Sequence, residues 1–113
     1  MNRGDVVEVN WPYSNLSGAK VRPAVVVRAD FLDGLIDDTI LVKITVTQFG
    51  IPCTEVTLDP RIETASGLSK VCYASCYSLL TRNEVIVGPV IGQFSAGAMQ
   101  QIEACLKAVL DIP

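Results

Sequence analysis

Residues 3–29 read RGDVVEVNWPYSNLSGAKVRPAVVVRA, and this stretch decides the fold class. Val6–Trp11 (VVEVNW) alternates apolar and polar side chains, the period of a strand. Pro12–Lys20 gathers Pro, two Ser, Asn and Gly, which predicts turns. Pro23–Ala29 is a β-branched run, apolar through Val27, the pattern of a strand covered on both faces.

Working outward, short strands continue. Asp30–Asp38 carries four aspartates and a glycine and reads as a surface connection. Thr39–Thr47 reads as a third strand, Gln48–Pro52 as a loop, and Thr54–Leu58 as a fourth strand with Glu55 and Thr57 on one face. Asp59–Leu68 is polar loop. Val71–Leu80 reads as a fifth strand with a bend, and Thr81–Glu84 as a turn or a single helical turn. Val85–Gln93 returns as strand, broken by Gly88 and Pro89. Then the period changes. Ser95 is a good N-cap, and Met99, Ile102, Leu106 and Val109 recur at helical spacing, so an amphipathic helix is expected to end near Ile112 and Pro113. The expected class is mainly β: one domain over residues 1–113, a small, strongly curved antiparallel barrel with a C-terminal amphipathic helix plugging or flanking it.

Composition sets limits. The 113 residues are 50% hydrophobic with mean hydropathy +0.39, enough for a core and too much for intrinsic disorder. In so small a chain, that apolar excess points to a buried dimer interface. Nine Lys+Arg against twelve Asp+Glu give a net charge of −3, and there is no histidine. Imidazole acid–base chemistry and imidazole metal ligation are therefore excluded. A pI near 4.7 excludes a broad, non-specific nucleic-acid binder. It permits a local phosphate site, because Lys20, Arg22, Arg28 and Lys43 cluster within 24 residues. No apolar run approaches the roughly 20 residues of a membrane span, and Met1–Asp5 lacks a signal-peptide core, so a cytoplasmic protein without membrane contact is expected.

Cys72 and Cys76 lie four apart on an expected strand, about 13 Å from each other. Two such thiolates cannot share one zinc, so Cys53, Cys72, Cys76 and Cys105 are read as free thiols, with no metal site.

Arg3-Gly4-Asp5, the strand after it, Ser17-Gly18, Arg22-Pro23 and Ala24–Val27 together form a specific pattern. Ile91-Gly92, followed closely by the Ser95 cap, adds to it. With these residues the chain resembles the MazF/PemK toxins of bacterial toxin–antitoxin systems. The resemblance implies an SH3-like barrel, a homodimer, and a metal-independent endoribonuclease without a cofactor. Such an enzyme cuts single-stranded RNA through the 2′-hydroxyl, leaving a 2′,3′-cyclic phosphate and a 5′-hydroxyl. It also implies an acidic, partly disordered antitoxin as partner, and operator DNA reached only through that antitoxin.

The implied catalytic residues are Arg22 and Thr45. Arg22 precedes a proline, which holds its backbone extended, and its guanidinium can grip two phosphate oxygens. Thr45 can donate to or accept from a phosphate or a 2′-hydroxyl. Lys20, Ser17, Ser14, Thr47, Gln48 and Tyr77 are the implied substrate contacts; Thr47 is expected on the same strand face as Thr45. Trp11 and Tyr13 are read as base-stacking or as wall residues.

The chain departs from the family pattern in its fifth strand. Ser75-Cys76-Tyr77-Ser78 holds neither the basic nor the acidic residue that some members use for proton transfer, and the first loop has neither histidine nor glutamate. The alternative reading is therefore a catalytically weak barrel that binds an antitoxin and contributes to operator regulation. A gyrase-poisoning toxin rests on fold analogy alone, and the Arg22/Thr45 pair argues against it.

Overall fold

The computed structural model describes residues 1–113. Six strands, β1 (Asp5–Pro12), β2 (Ala19–Val26), β3 (Asp38–Thr45), β4 (Glu55–Leu58), β5 (Cys72–Asn83) and β6 (Val90–Gln93), precede one helix, α1 (Ala96–Val109). They form one antiparallel sheet in the order β4-β5-β3-β2-β1-β6. Residues from both ends of that order share one core. Val56, Leu58 and Cys72 at one end meet Val6 and Phe94 at the other, around Ala98, Met99 and Ile102 of α1. The sheet therefore curls into a half-barrel whose open side the helix fills, as the alternating strands and the terminal amphipathic pattern predict. The outer face carries a second core of Val7, Val9, Trp11, Ala24, Val26 and Leu41.

Several boundaries differ from the sequence reading. β2 begins at Ala19 and stops at Val26, so its first two residues fall in the stretch read as turns. The hairpin partner explains this: β1 pairs with β2 from Val6↔Val25 out to Pro12↔Ala19, leaving only Tyr13–Gly18 as loop. The third strand ends at Thr45, two residues early. β5 runs on through Thr81–Asn83, because Asp38–Ile40 pair with that segment. Its bend is real. Val42 pairs with Leu79 and Lys43 with Ser75, so Cys76, Tyr77 and Ser78 loop out of register. Val85–Gln93 is not one strand: a 3₁₀ turn at Glu84–Ile86 precedes the short β6.

Helix α1 starts at the expected cap, where the Ser95 hydroxyl accepts from Ala98 N–H. A buried carboxylate completes the cap. Glu63 accepts from Ser95 N–H at 2.7 Å and from the Ser95 hydroxyl at 2.8 Å, tying the loop after β4 to the helix. The other end of that loop is held by glycines. A Cβ on Gly67 would lie 2.2 Å from the Ile91 carbonyl oxygen, and one on Gly92 2.3 Å from Ser66. The two backbones touch where no side chain fits, which fixes the residues that follow, Leu68–Lys70.

Candidate functional site

The site begins with a missing hydrogen bond. Gly4 N–H donates to Val26 O, and Val27 N–H donates to Ile40 O. By alternation, the odd-numbered residues of β2 direct their backbone groups toward β3. Pro23 is one of these, and it has no N–H to give to Ile44. The β2–β3 ladder accordingly ends at Ala24↔Lys43. Beyond that point a cleft of about 170 Å³ lies between the strands. Lys20, Arg22 and Pro23 form one wall and Ile44, Thr45 and Val46 the other, with Lys70 and Cys72 beneath. A larger cavity of about 270 Å³ adjoins it, where Glu8, Leu68 and Ile91 join Arg22 and Lys70.

Side-chain alternation places Lys20 and Arg22 on the outer face with Ala24 and Val26, and Lys43 and Thr45 on that same face with Leu41. Tyr73 of β5 lies directly opposite Thr45. Arg22 is half-buried and makes no salt bridge. Thr45 is buried, and its hydroxyl accepts from Thr47 N–H at 3.2 Å, which orients it. Burial, and then the nearby positive charge of Arg22, holds the Lys43 ammonium below the usual lysine range. The arrangement is a small cationic cleft with a fixed hydroxyl. It suits one phosphate with its flanking oxygens.

Of the sequence candidates, Arg22, Thr45 and Lys20 meet at the cleft. Thr47 lies past the end of β3, not on its face, and reaches the site through its N–H bond to Thr45. Ser14 and Ser17 are exposed in the hairpin loop, where Ser17 N–H and hydroxyl both bind the Asn15 side chain. Gln48 is exposed beyond β3, and Tyr77 lies in the looped-out segment of β5; neither lines the cleft. Trp11 is packed in the outer core.

Arg28 requires a correction. It does not flank the groove; it is fully buried, with Nη1 2.8 Å from Glu84 and 3.6 Å from Asp33, and with Nη2 bound to the Met1 carbonyl. Lys70 takes its place among the cleft cations. Its position depends on the Gly67–Ile91 contact, so no local pattern announces it.

A family model, described as PemK-like, MazF-like toxin of type II toxin–antitoxin system, matches residues 2–110. The chain belongs to this family. The fold of this PemK/MazF-like protein agrees with solved structures. An endoribonuclease in complex with its cognate antitoxin, from a mycobacterial species, superposes with TM-score 0.81 at 21% identity, covering 100% of this chain and 97% of that one. The Mycobacterium tuberculosis toxin MazF-mt6 gives TM-score 0.74 at 20% identity, covering 95% and 98%. A MazE–MazF complex from Deinococcus radiodurans gives 0.76 at 19% identity, covering 100% and 98%. No curated protein matches the chain by sequence. No helix is long and apolar enough to cross a membrane.

Proposed function

We propose that this PemK/MazF-like toxin is an endoribonuclease that cuts single-stranded RNA at the β2–β3 cleft and is neutralised by an acidic antitoxin laid over the same cations. One observation carries the reading: Arg22 and Thr45 face each other across a gap that Pro23 opens. The 2′-hydroxyl attacks the adjacent phosphorus, and a 2′,3′-cyclic phosphate and a 5′-hydroxyl result. Arg22 holds the negative charge that grows on the phosphorane oxygens. Thr45, oriented through Thr47, hydrogen-bonds a phosphate oxygen or the attacking hydroxyl. The nucleophile belongs to the substrate, so no metal-bound water is required of the protein.

The active form is a homodimer. Exposed Phe31, Leu35 and Ile36 lie beside exposed Val85 and Ile86, the two segments being joined where Glu84 N–H donates to Asp37 O. An apolar surface of this kind supports self-association. The protein works in the cytoplasm, where its RNA and its antitoxin are found, and it meets operator DNA only through the antitoxin.

Induction in bacteria without the antitoxin, followed by mapping of RNA ends, tests the reading. New 5′-hydroxyl ends that disappear with Arg22→Ala are expected. Growth arrest without RNA cuts would overturn it in favour of another target, and neither arrest nor cuts would favour a binding barrel.

A further inference from the structure

The reaction above still lacks a group to protonate the leaving 5′-oxygen. The chain has no histidine, and a guanidinium is too weak an acid for the task. β2 and β5, the strands on either side of β3, contain no acidic residue. We propose that Lys43 is the general acid of this site, giving its proton to the 5′-oxygen as that oxygen leaves phosphorus. The assignment rests on the ribonuclease reading.

The register places it. Lys43 stands between Ala24 of β2 and Ser75 of β5, on the face that bears Arg22 and Thr45. It is two residues from Thr45, about 6.6 Å along the strand. It is the diagonal neighbour of Arg22, about 7–8 Å between backbones. A phosphate held by Arg22 and Thr45 therefore lies within reach of a lysine side chain. The ammonium is unclaimed: Lys43 takes part in no salt bridge. The groups facing it are Arg22, its diagonal neighbour on β2, and Ser75 and Tyr73 on β5. Ser75 is fully buried with its hydroxyl unpartnered. The acids one strand further on are Glu55 of β4, which accepts from Phe49 and Gly50 N–H, and Glu8 of β1, which alternates onto the opposite face of the sheet with Val6. Burial and the Arg22 charge both lower the Lys43 pKa. That shift makes the ammonium a stronger acid, closer to working pH, which is what proton donation requires.

The step balances. The bond from the 2′-oxygen to phosphorus forms and the bond from phosphorus to the 5′-oxygen breaks. Lys43 gives one proton to the 5′-oxygen. The 2′-hydroxyl proton passes to solvent, and solvent reprotonates the amine.

The test compares an ordinary oligoribonucleotide with one whose scissile 5′-oxygen is replaced by sulfur, a leaving group that needs no proton. Lys43→Arg keeps the charge but holds its proton too tightly to donate. It is expected to cut the ordinary RNA about 100-fold more slowly, within the range of general acid catalysis, and the 5′-thio RNA at close to the wild-type rate. Wild type should lose activity at high pH on the oxygen substrate and not on the sulfur one, a comparison that needs no variant. Arg22→Ala should be slow on both. A Lys43→Arg loss below threefold, or an equal loss on both substrates, overturns the assignment and leaves the ribonuclease reading intact. A wild type that cleaves neither substrate overturns both.

Discussion

Arg22 and Arg28 stand six residues apart, one in the middle of β2 and one just past its end, and their surroundings are opposite. Arg28 is wholly buried, with two carboxylates and a carbonyl around its guanidinium. Arg22 is half-buried and faces other cations, Lys43 among them, with no carboxylate in salt-bridge range. A charge satisfied within the fold serves the fold. A charge left unpaired next to like charges gains from an anion that the protein itself does not supply.

The sharpest way to break this comparison is to remove each arginine and read both activity and stability. Arg22→Ala is expected to slow RNA cleavage by about 10²–10³, the magnitude of losing one oxyanion donor. Its stability should change by only about 0.5 kcal/mol, as for other surface positions; single-turnover cleavage and denaturant melts check both. Arg28→Ala is expected to do the reverse, costing about 3 kcal/mol because it empties a fully buried site and unpairs Glu84. That value is the lower end of the usual range, since Asp33 and Glu84 keep some solvent contact. Urea melts of the two variants side by side would break the comparison if Arg22→Ala proved the less stable.

The thiols sharpen it next, as groups the fold has hidden or left out. Burial, and then the neighbouring Cys105, pushes the Cys76 thiol up to about 12, against an ordinary value of 9. Above pH 9 the unfolded chain releases a proton that the folded chain keeps. Stability is therefore expected to be unaffected by this group below pH 8 and to fall as pH rises from 9 toward 12. Melting temperature against pH, with Cys76→Ala losing part of that alkaline slope, checks the sign.

The smallest effect is electrostatic. With few cations at the cleft, log Kd for single-stranded RNA should vary with log salt with a slope of only about 2–3. Arg22→Ala should lower that slope by about 0.7 and Arg28→Ala should leave it unchanged. Equal reductions from the two variants would mean that Arg28 also meets phosphate.

Most of the architecture could be read from local pattern. The alternation in Val6–Trp11 and the helical spacing from Met99 to Val109 each reported a buried face directly. What escaped was decided at long range. β2 starts at Ala19 because β1 is there to pair with, which a turn-rich composition conceals. Arg28 was grouped with the cations of the phosphate site because its partner Glu84 lies 56 residues away. Lys70 reaches the cleft through a backbone contact near Ile91. At the candidate site, Arg22 and Thr45 were expected through family resemblance, and the fold brings both to one cleft. Ser14, Ser17 and Gln48 lie on loops outside the cleft lining.

The proline gap also has a signature in time. The Val42 amide lies in the paired part of β3, opposite Val25, and is fully buried. Four residues on, just past the strand, the Val46 N–H has no partner on backbone or side chain and its residue is exposed. In deuterated water the Val46 amide should exchange as fast as in an unstructured peptide, while Val42 waits for the sheet itself to open. β3 and the residue just past it thus carry a slow clock and a fast one, and a ligand entering between the strands would be registered as the fast one slowing down.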